Sequence, residues 1–436
     1  MTDSGAILGD DGRLRFPRGL VEATLAKCAR CITPHGQNPK HDLLLSGSRV
    51  HYGTAGAVVH VVDVAKNEYR ESYLADIYDA ARIVEQMDNI HFFQRPMVAR
   101  DIPNLADLDF NTVYAAIKGT TKHVGVSYTE TEFMKPVFEM LHSVAGGEDK
   151  WRARPFVSNS NCFVVPPLRF ATESCLVMEE AVHNGMQVLL LSAGQAGATA
   201  PASIAGAVAQ ALSEVIAGLI YVNAMKPGHP CICGTWPFVS DLRTGAMLGG
   251  SGEQGLLTSA CAQMLQHYDL PGGAAAGMAD AKMPDAQSGY EKGSTLVMAG
   301  ISGLNMVYEA AGMHASCLAS FDSLIIDKDM LGQCLRCVRG IEVNEETLAA
   351  PVMKDICMGG PGHYLGHNQT INLMQTEYAY PAIADRFSPK EWEELGKPNL
   401  LEVARRRKED ILANSHPSHV SNALDAELRS RFRIFL

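Results

Sequence analysis

Residues 187–234 read QVLLLSAGQAGATAPASIAGAVAQALSEVIAGLIYVNAMKPGHPCICG, and the periodicity inside this stretch decides the architecture. Residues 187–191 form a short apolar run of the kind that makes a strand buried on both faces. Ser192 to Gln195 make a polar, glycine-containing loop. Residues 203–223 then carry a helix-period pattern, and residues 231–234 form a second short β-rich run. Strand, loop, helix and parallel strand in that order make a right-handed crossover unit.

The same theme recurs on both sides. Further strands are expected at 90–93, 124–128, 154–159, 272–277, 314–318 and 324–326, giving eight in all with 187–191 and 231–234. Further helices are expected at 105–118, 132–144, 170–184, 254–267 and 287–311. A spacing of about 30–45 residues per unit is that of a (β/α)8 TIM barrel, an α/β fold whose active site lies at the carboxyl-terminal mouth. A doubly wound sheet is the competing architecture, but no Gly-x-Gly-x-x-Gly follows the first strand. Residues 43–63 alternate around two glycine-rich turns and read as a β-hairpin. The expected division is an N-terminal cap with this hairpin over 1–70, the barrel over 71–345, and a C-terminal helical extension over 346–436 suited to oligomer contacts.

Composition removes several function classes. The chain has 436 residues, 47% hydrophobic and 19% charged, which is globular and not disordered. A net charge of −11 would repel a nucleic-acid backbone. The one basic run, Arg405 to Lys408, is followed at once by Glu409 and Asp410 and reads as a solvated helix face or a docking point for an acidic partner. The amino terminus carries acids where a secretory signal has bases, and the apolar residues 198–222 are interrupted by Ser203, Gln210, Ser213 and Glu214. The expectation is a cytoplasmic protein whose eleven cysteines are reduced thiols.

In a barrel the residues just past each strand end reach the mouth. Phe93, Tyr128, Asn159, Asn161, Trp236, Asp280, Tyr290 and His314 are the substrate-binding candidates found this way, with His363 added from the tail. Asn159 and Asn161 serve either substrate contact or capping turns at a strand end. Trp236 either packs on the next helix or forms one wall of a cage for a quaternary ammonium, completed by Phe93, Tyr128 and Tyr290. His314 is either a satisfied core histidine or a substrate-anchoring cation. His363 and His367 are four apart, but the surrounding glycines and Pro361 disfavour the helix that a zinc pair needs. Cys28-x-x-Cys31, Cys231-x-Cys233 and Cys334-x-x-Cys337 give only a weak metal signal, and no metal is expected. Residues 277–292 are the most distinctive segment: Lys282, Gln287 and Glu291 are its catalytic candidates, with Gln287 and Glu291 neighbours on one helix face. Capping by Asp285 explains one residue of this cluster and not the rest.

With these residues in view, the chain resembles the trimethylamine methyltransferase family, in its pyrrolysine-free branch that demethylates quaternary amines. The resemblance is carried by FPRGLVEATLAK (16–27), RTGAMLGGSGEQGLL (243–257), DAKMPDAQSGYEK (280–292), EAAGM (309–313) and GHYLGHNQT (362–370). It implies a TIM barrel that binds no cofactor of its own, forms a homo-oligomer, and passes a methyl group to the Co(I) of a corrinoid carried by a partner protein. In the pyrrolysine enzymes that residue falls in the region matching 280–287, at or near Lys282, where an ordinary residue stands here. The family also usually has a further helical segment before Arg15-Phe16-Pro17. A quaternary ammonium already has a neutral amine as its leaving group and needs only positioning, so a betaine is expected, glycine betaine first and proline betaine or carnitine after it. The carboxylate would fall to His314, Lys282 or the asparagines. A zinc-dependent barrel methyltransferase and a non-catalytic betaine-binding barrel are the competing functions.

Overall fold

The computed structural model describes residues 1–54, 56–313 and 317–436. Eight parallel strands close a barrel: β1 (His51–Thr54), β2 (Phe92–Gln94), β3 (His123–Val126), β4 (Val157–Asn161), β5 (Val188–Ser192), β6 (Cys231–Thr235), β7 (Gly272–Ala275) and β8 (Met306–Ala310). Each pairs with its neighbour in chain order, and β8 closes on β1 through Met306↔His51 and Val307↔Tyr52. One main helix follows each strand: α1 (Leu74–Glu85), α2 (Leu105–Gly119), α3 (Met134–Ala145), α4 (Thr172–His183), α5 (Ile204–Met225), α6 (Gly252–His267), α7 (Ala286–Ile301) and α8 (Phe321–Arg339). Helix α5 is long and apolar enough to cross a membrane, yet half of its most apolar window is buried inside the fold, as the crossover between β5 and β6.

The expected strands at 90–93, 124–128, 154–159, 187–191, 231–234 and 272–277 coincide with β2 to β7. Two do not. Residues 324–326 lie in α8, where Ser320 caps the helix by accepting from Ser323 N, and Leu324 and Ile325 form part of its buried face. Residues 314–316 lie outside the described residues, and Leu318 belongs to a two-residue strand outside the barrel. The missing barrel strands stood inside other expectations. Strand β8 was hidden in the tail of the expected helix 287–311, which ends at Ile301 before Gly303 turns the chain at φ +72°. Strand β1 lies within 43–63, so the barrel sheet begins inside the expected cap; the real hairpin pairs His60–Asp63 with Glu68–Glu71. A short apolar run does not distinguish a buried strand from a buried helix turn, which is why both errors fall on such runs.

Alternation along the strands sorts the side chains into two cores. Outward positions such as Phe93, Val126, Leu190 and Val307 join the layer beneath the helices. Inward positions Phe92, Leu189, Leu191, Ile232, Met306 and Tyr308 fill the barrel lumen. At the amino-terminal end Ile32, Leu43 and Leu45 join the same lumenal cluster, and Gln187 Nε2 donates to Thr33 O at 2.8 Å, so the segment before β1 plugs the barrel floor. The carboxyl-terminal helices strap its outside. In Leu400–Asn414, Lys408 reaches Asp322 of α8 at 3.0 Å and Leu412 O accepts from Arg82 of α1 at 2.7 Å. In Asn422–Arg431, Asp425 bonds Tyr114 of α2, and Arg431 meets Glu139 of α3 at 2.8 Å.

Two buried histidines make this core sensitive to acid. His123 donates from Nδ1 to His35 O at 2.8 Å and accepts from Ser158 Oγ at 2.9 Å, and His229 donates to Met186 O at 2.9 Å. Burial pushes both imidazoles down to about 4 from 6.5. Below pH 6.5 the unfolded chain takes up protons that the folded chain refuses, so stability is full above about 6.5 and is lost as pH falls toward 4, by roughly 3 kcal/mol per histidine. Melting temperature is therefore expected to fall through this window, and His123→Asn to remove part of the slope. A melting temperature flat between pH 7 and 4 would contradict this account.

Candidate active site

The mouth is built by the last inward residues of the strands. Gln94 stands two positions beyond Phe92 on the same face, about 7 Å nearer the mouth. Its Oε1 accepts from Ser160 Oγ at 3.0 Å, bridging β2 to β4 across Gly125 of β3. A methyl group on Gly125 would fall 1.8 Å from that Oε1, so the bridge exists because this position has no side chain. The Tyr308 ring lies 4.9 Å from Phe92 and 5.0 Å from Trp236, which follows β6. Trp236 also touches a smaller cluster of Phe238, Ala275 and Met278, and its Nε1 has no hydrogen-bond partner among the described residues. The floor of the mouth thus includes two aromatic rings, an amide–hydroxyl pair and aliphatic groups. Such a surface suits a cation that cannot donate hydrogen bonds and is held by ring faces and dispersion.

Two small sheets flank this floor. One joins Gln195–Ala196, Phe238–Ser240 and Met247–Leu248; the other joins Gly312–Met313, Leu318–Ala319, His60–Asp63 and Glu68–Glu71. Between them runs the segment after β7, locked by a chain of carboxylates. Glu291 of α7 accepts from Asp280 N at 2.7 Å and from Gln287 Nε2 at 2.9 Å. Asp280 in turn accepts from Gly249 N at 2.8 Å and Gly250 N at 3.4 Å. A Cβ on Gly250 would sit 2.5 Å from that of Glu291, which only glycine avoids. The segments 243–257 and 280–292 are therefore two halves of one rim. On the far side Lys292 Nζ meets Asp327 Oδ2 at 2.7 Å and Ser323 Oγ at 2.8 Å, both charged side chains being 1% exposed. Asp327 also accepts from Ala311 N at 2.7 Å, tying α7 and α8 to the end of β8.

Of the residues expected to bind substrate, Trp236 is the one that the structure places on the mouth floor. Phe93 faces the helices, and its neighbours Phe92 and Gln94 face the lumen. Asn159 and Asn161 likewise point away, Asn161 Nδ2 donating to Ser174 O of α4 at 2.9 Å, while Ser160 between them points in. Tyr128 belongs to the helix-facing core. Nearby, Asp109 of α2 accepts from Thr129 N at 2.8 Å, and burial raises its carboxyl to about 6. Tyr290 is 67% exposed and so forms no cage wall. Asp280 spends its carboxylate on backbone amides. His314 lies outside the described residues.

The tail histidine lies in the segment that follows α8. Helix α8 descends from the mouth for 19 residues, about 28 Å at the rise of an α-helix. At its lower end Arg336 holds Glu377 at 2.8 Å, and His363 is exposed in the stretch of chain between these two residues. The catalytic candidates divide as well. Lys282 is exposed and donates to Asp280 O at 2.9 Å, whereas Gln287 and Glu291 are rim braces. Gln94, Ser160 and Tyr308 were missed, because single-residue errors of inward and outward facing are invisible where both faces are buried. Glycines at 53 and 125 were the available signal, since a glycine in a strand often marks a large lumenal neighbour.

Among the described residues no group of three or more His, Cys, Asp and Glu side chains is placed to hold a metal ion. Burial pushes the thiols of Cys28, Cys231 and Cys233 up and that of Cys334 up to about 12, so in the metal-free protein they are neutral thiols.

A sequence model described as trimethylamine methyltransferase (MTTB) matches residues 1–433. The chain is 29% identical over 418 residues to a trimethylamine methyltransferase of Desulfitobacterium hafniense, covering 96% of this chain and 83% of that one. It is 28% identical to a glycine betaine methyltransferase of the same species, with 97% and 87% covered. The monomethylamine methyltransferase of Methanosarcina barkeri shares the fold at a TM-score of 0.51 and 12% identity, over 91% of this chain and 81% of that one.

The rim lock makes a prediction that separates bracing from catalysis. Glu291→Ala leaves the Asp280 amide without its acceptor and is expected to cost about 1–3 kcal/mol of stability, read as a lowered melting temperature. A variant as stable as the parent but devoid of turnover would return Glu291 to a catalytic role.

Proposed function

The chain belongs to the trimethylamine methyltransferase family and is a methyltransferase; from that premise we propose that it moves a methyl group from a quaternary amine, a betaine with glycine betaine foremost, to the Co(I) corrinoid of a separate protein docked over the mouth. The observation that carries this reading is the Trp236–Tyr308 ring pair, 5.0 Å apart, above a lumen filled by Phe92, Leu189, Leu191, Ile232 and Met306. A fixed positive charge is attracted to ring faces in such surroundings by about 1–2 kcal/mol per ring.

The second substrate, a reduced corrinoid, supplies the electron pair that forms the new bond to the methyl carbon. The pair of the breaking C–N bond stays on nitrogen, so a neutral dimethylamino product leaves and no proton has to be delivered. The protein's own part is to hold the ammonium with one methyl directed outward and to exclude water from the reacting axis. The braced rim serves that purpose, since the segment after β7 and the end of β8 are both held by buried carboxylates. The same reading gives the segment between α8 and the strapping helices its homo-oligomer contacts. Ile341, Met358, Leu365, Tyr378 and Tyr380 are each more than 60% exposed there, more apolar surface than a solitary chain usually shows to water.

Incubation with free cob(I)alamin as the acceptor is expected to convert glycine betaine to dimethylglycine and to leave trimethylamine untouched. Trp236→Ala is expected to weaken glycine betaine binding about tenfold, or roughly 1.4 kcal/mol. Consumption of trimethylamine with no reaction of glycine betaine would overturn the substrate assignment, and stoichiometric zinc lost together with activity on chelation would favour the zinc-dependent alternative.

A further inference from the structure

The ring pair accounts for the cation of a betaine and leaves its carboxylate unassigned. Four groups are expected to take it, and the structure turns none of the described ones into the lumen. Lys282 points to solvent and bonds Asp280 O, Asn159 and Asn161 face the helix layer, and His314 lies outside the described residues. Arg95, next after β2, is turned by strand alternation toward α2, where Asp109 is its charged neighbour. What the lumen does present is the amide of Gln94. The residue is 6% exposed, and its Oε1 is engaged by Ser160 Oγ at 3.0 Å. That bond orients the carboxamide and turns the two Nε2 hydrogens away from Ser160. Among the described residues no acceptor lies within hydrogen-bond distance of Nε2. This nitrogen is not among the enclosed, unpartnered polar atoms, so it opens onto the mouth with its donor capacity unused and available to a ligand oxygen there.

Resting on the function proposed above, we infer that Gln94 is the specificity residue that donates to an acceptor oxygen of the substrate, with Ser160 as its positioning partner. The site is then one for zwitterionic quaternary amines, the ammonium on the Trp236 and Tyr308 rings and the carboxylate on Gln94 Nε2. Phe92 beneath Gln94 and Tyr308 beside Phe92 place the amide on the wall next to the ring pair, so that one small molecule spans both. A bare tetraalkylammonium meets only the rings, and the Gln94 donor stays unsatisfied.

The test is calorimetric titration of the full-length protein with glycine betaine and with tetramethylammonium, in the parent, Gln94→Leu and Ser160→Ala. The inference expects Gln94→Leu to weaken glycine betaine by about tenfold while tetramethylammonium changes by less than about twofold. Ser160→Ala, which releases the carboxamide, is expected to give a smaller loss for glycine betaine alone. Tetramethylammonium binding also reports that each variant retains a folded mouth. Equal weakening of both ligands in Gln94→Leu, or no change in either, overturns the inference and leaves the proposed function standing. A parent protein that binds neither cation overturns the proposed function itself.

Discussion

Strand alternation inside a closed barrel is the constraint from which the rest of this molecule follows. Each strand must send one row of side chains into a lumen of fixed width and the other beneath a helix, and the lumen holds only what the neighbouring strands leave room for. Gly53 yields to the Phe92 ring, since an added Cβ would lie 2.3 Å from it, and Gly125 yields to the Gln94 amide. Phe92, Tyr308 and Trp236 can then stack through the upper lumen, and the mouth acquires an aromatic floor where large side chains on all strands would have filled it with aliphatic core. Remove either glycine and the rings or the amide must move.

The rim depends on that floor being flanked by irregular backbone, which carries donors that strand pairing does not satisfy. Asp280, Glu291 and Asp327 answer the need: each spends carboxylate oxygens on main-chain amides of the mouth segments. Acidic residues near an active site are easily read as acids and bases. Here the hydrogen bonds assign them to holding a shape, which is what the proposed transfer, with nitrogen leaving on its own electron pair, would ask of them.

Much of the fold was legible beforehand, and the reason is periodicity. Residues 187–234 contain one complete crossover unit, and six of the barrel strands announce themselves by short apolar runs at regular spacing. The first and last strands did not, because His51–Thr54 falls inside the glycine-rich alternation that reads as a hairpin and Met306–Ala310 continues the apolar character of α7. The mouth position of Trp236 was legible, since its place just past a strand end is independent of facing. Facing was not legible at Phe93, Asn159 and Asn161, each one residue away from the lumenal Phe92, Gln94 or Ser160.

The amino-acid sequence by itself determined the barrel, its order of units and the family to which the chain belongs, since these rest on local periodicity and on motifs that stay contiguous along the chain. Only the tertiary structure decided which face of each strand looks inward, because in a sheet buried on both sides apolar and polar residues carry no label of direction. It also decided that the motifs at 243–257 and 280–292 form a single brace, which follows from two loops meeting over one lumen and is not a local property of the chain.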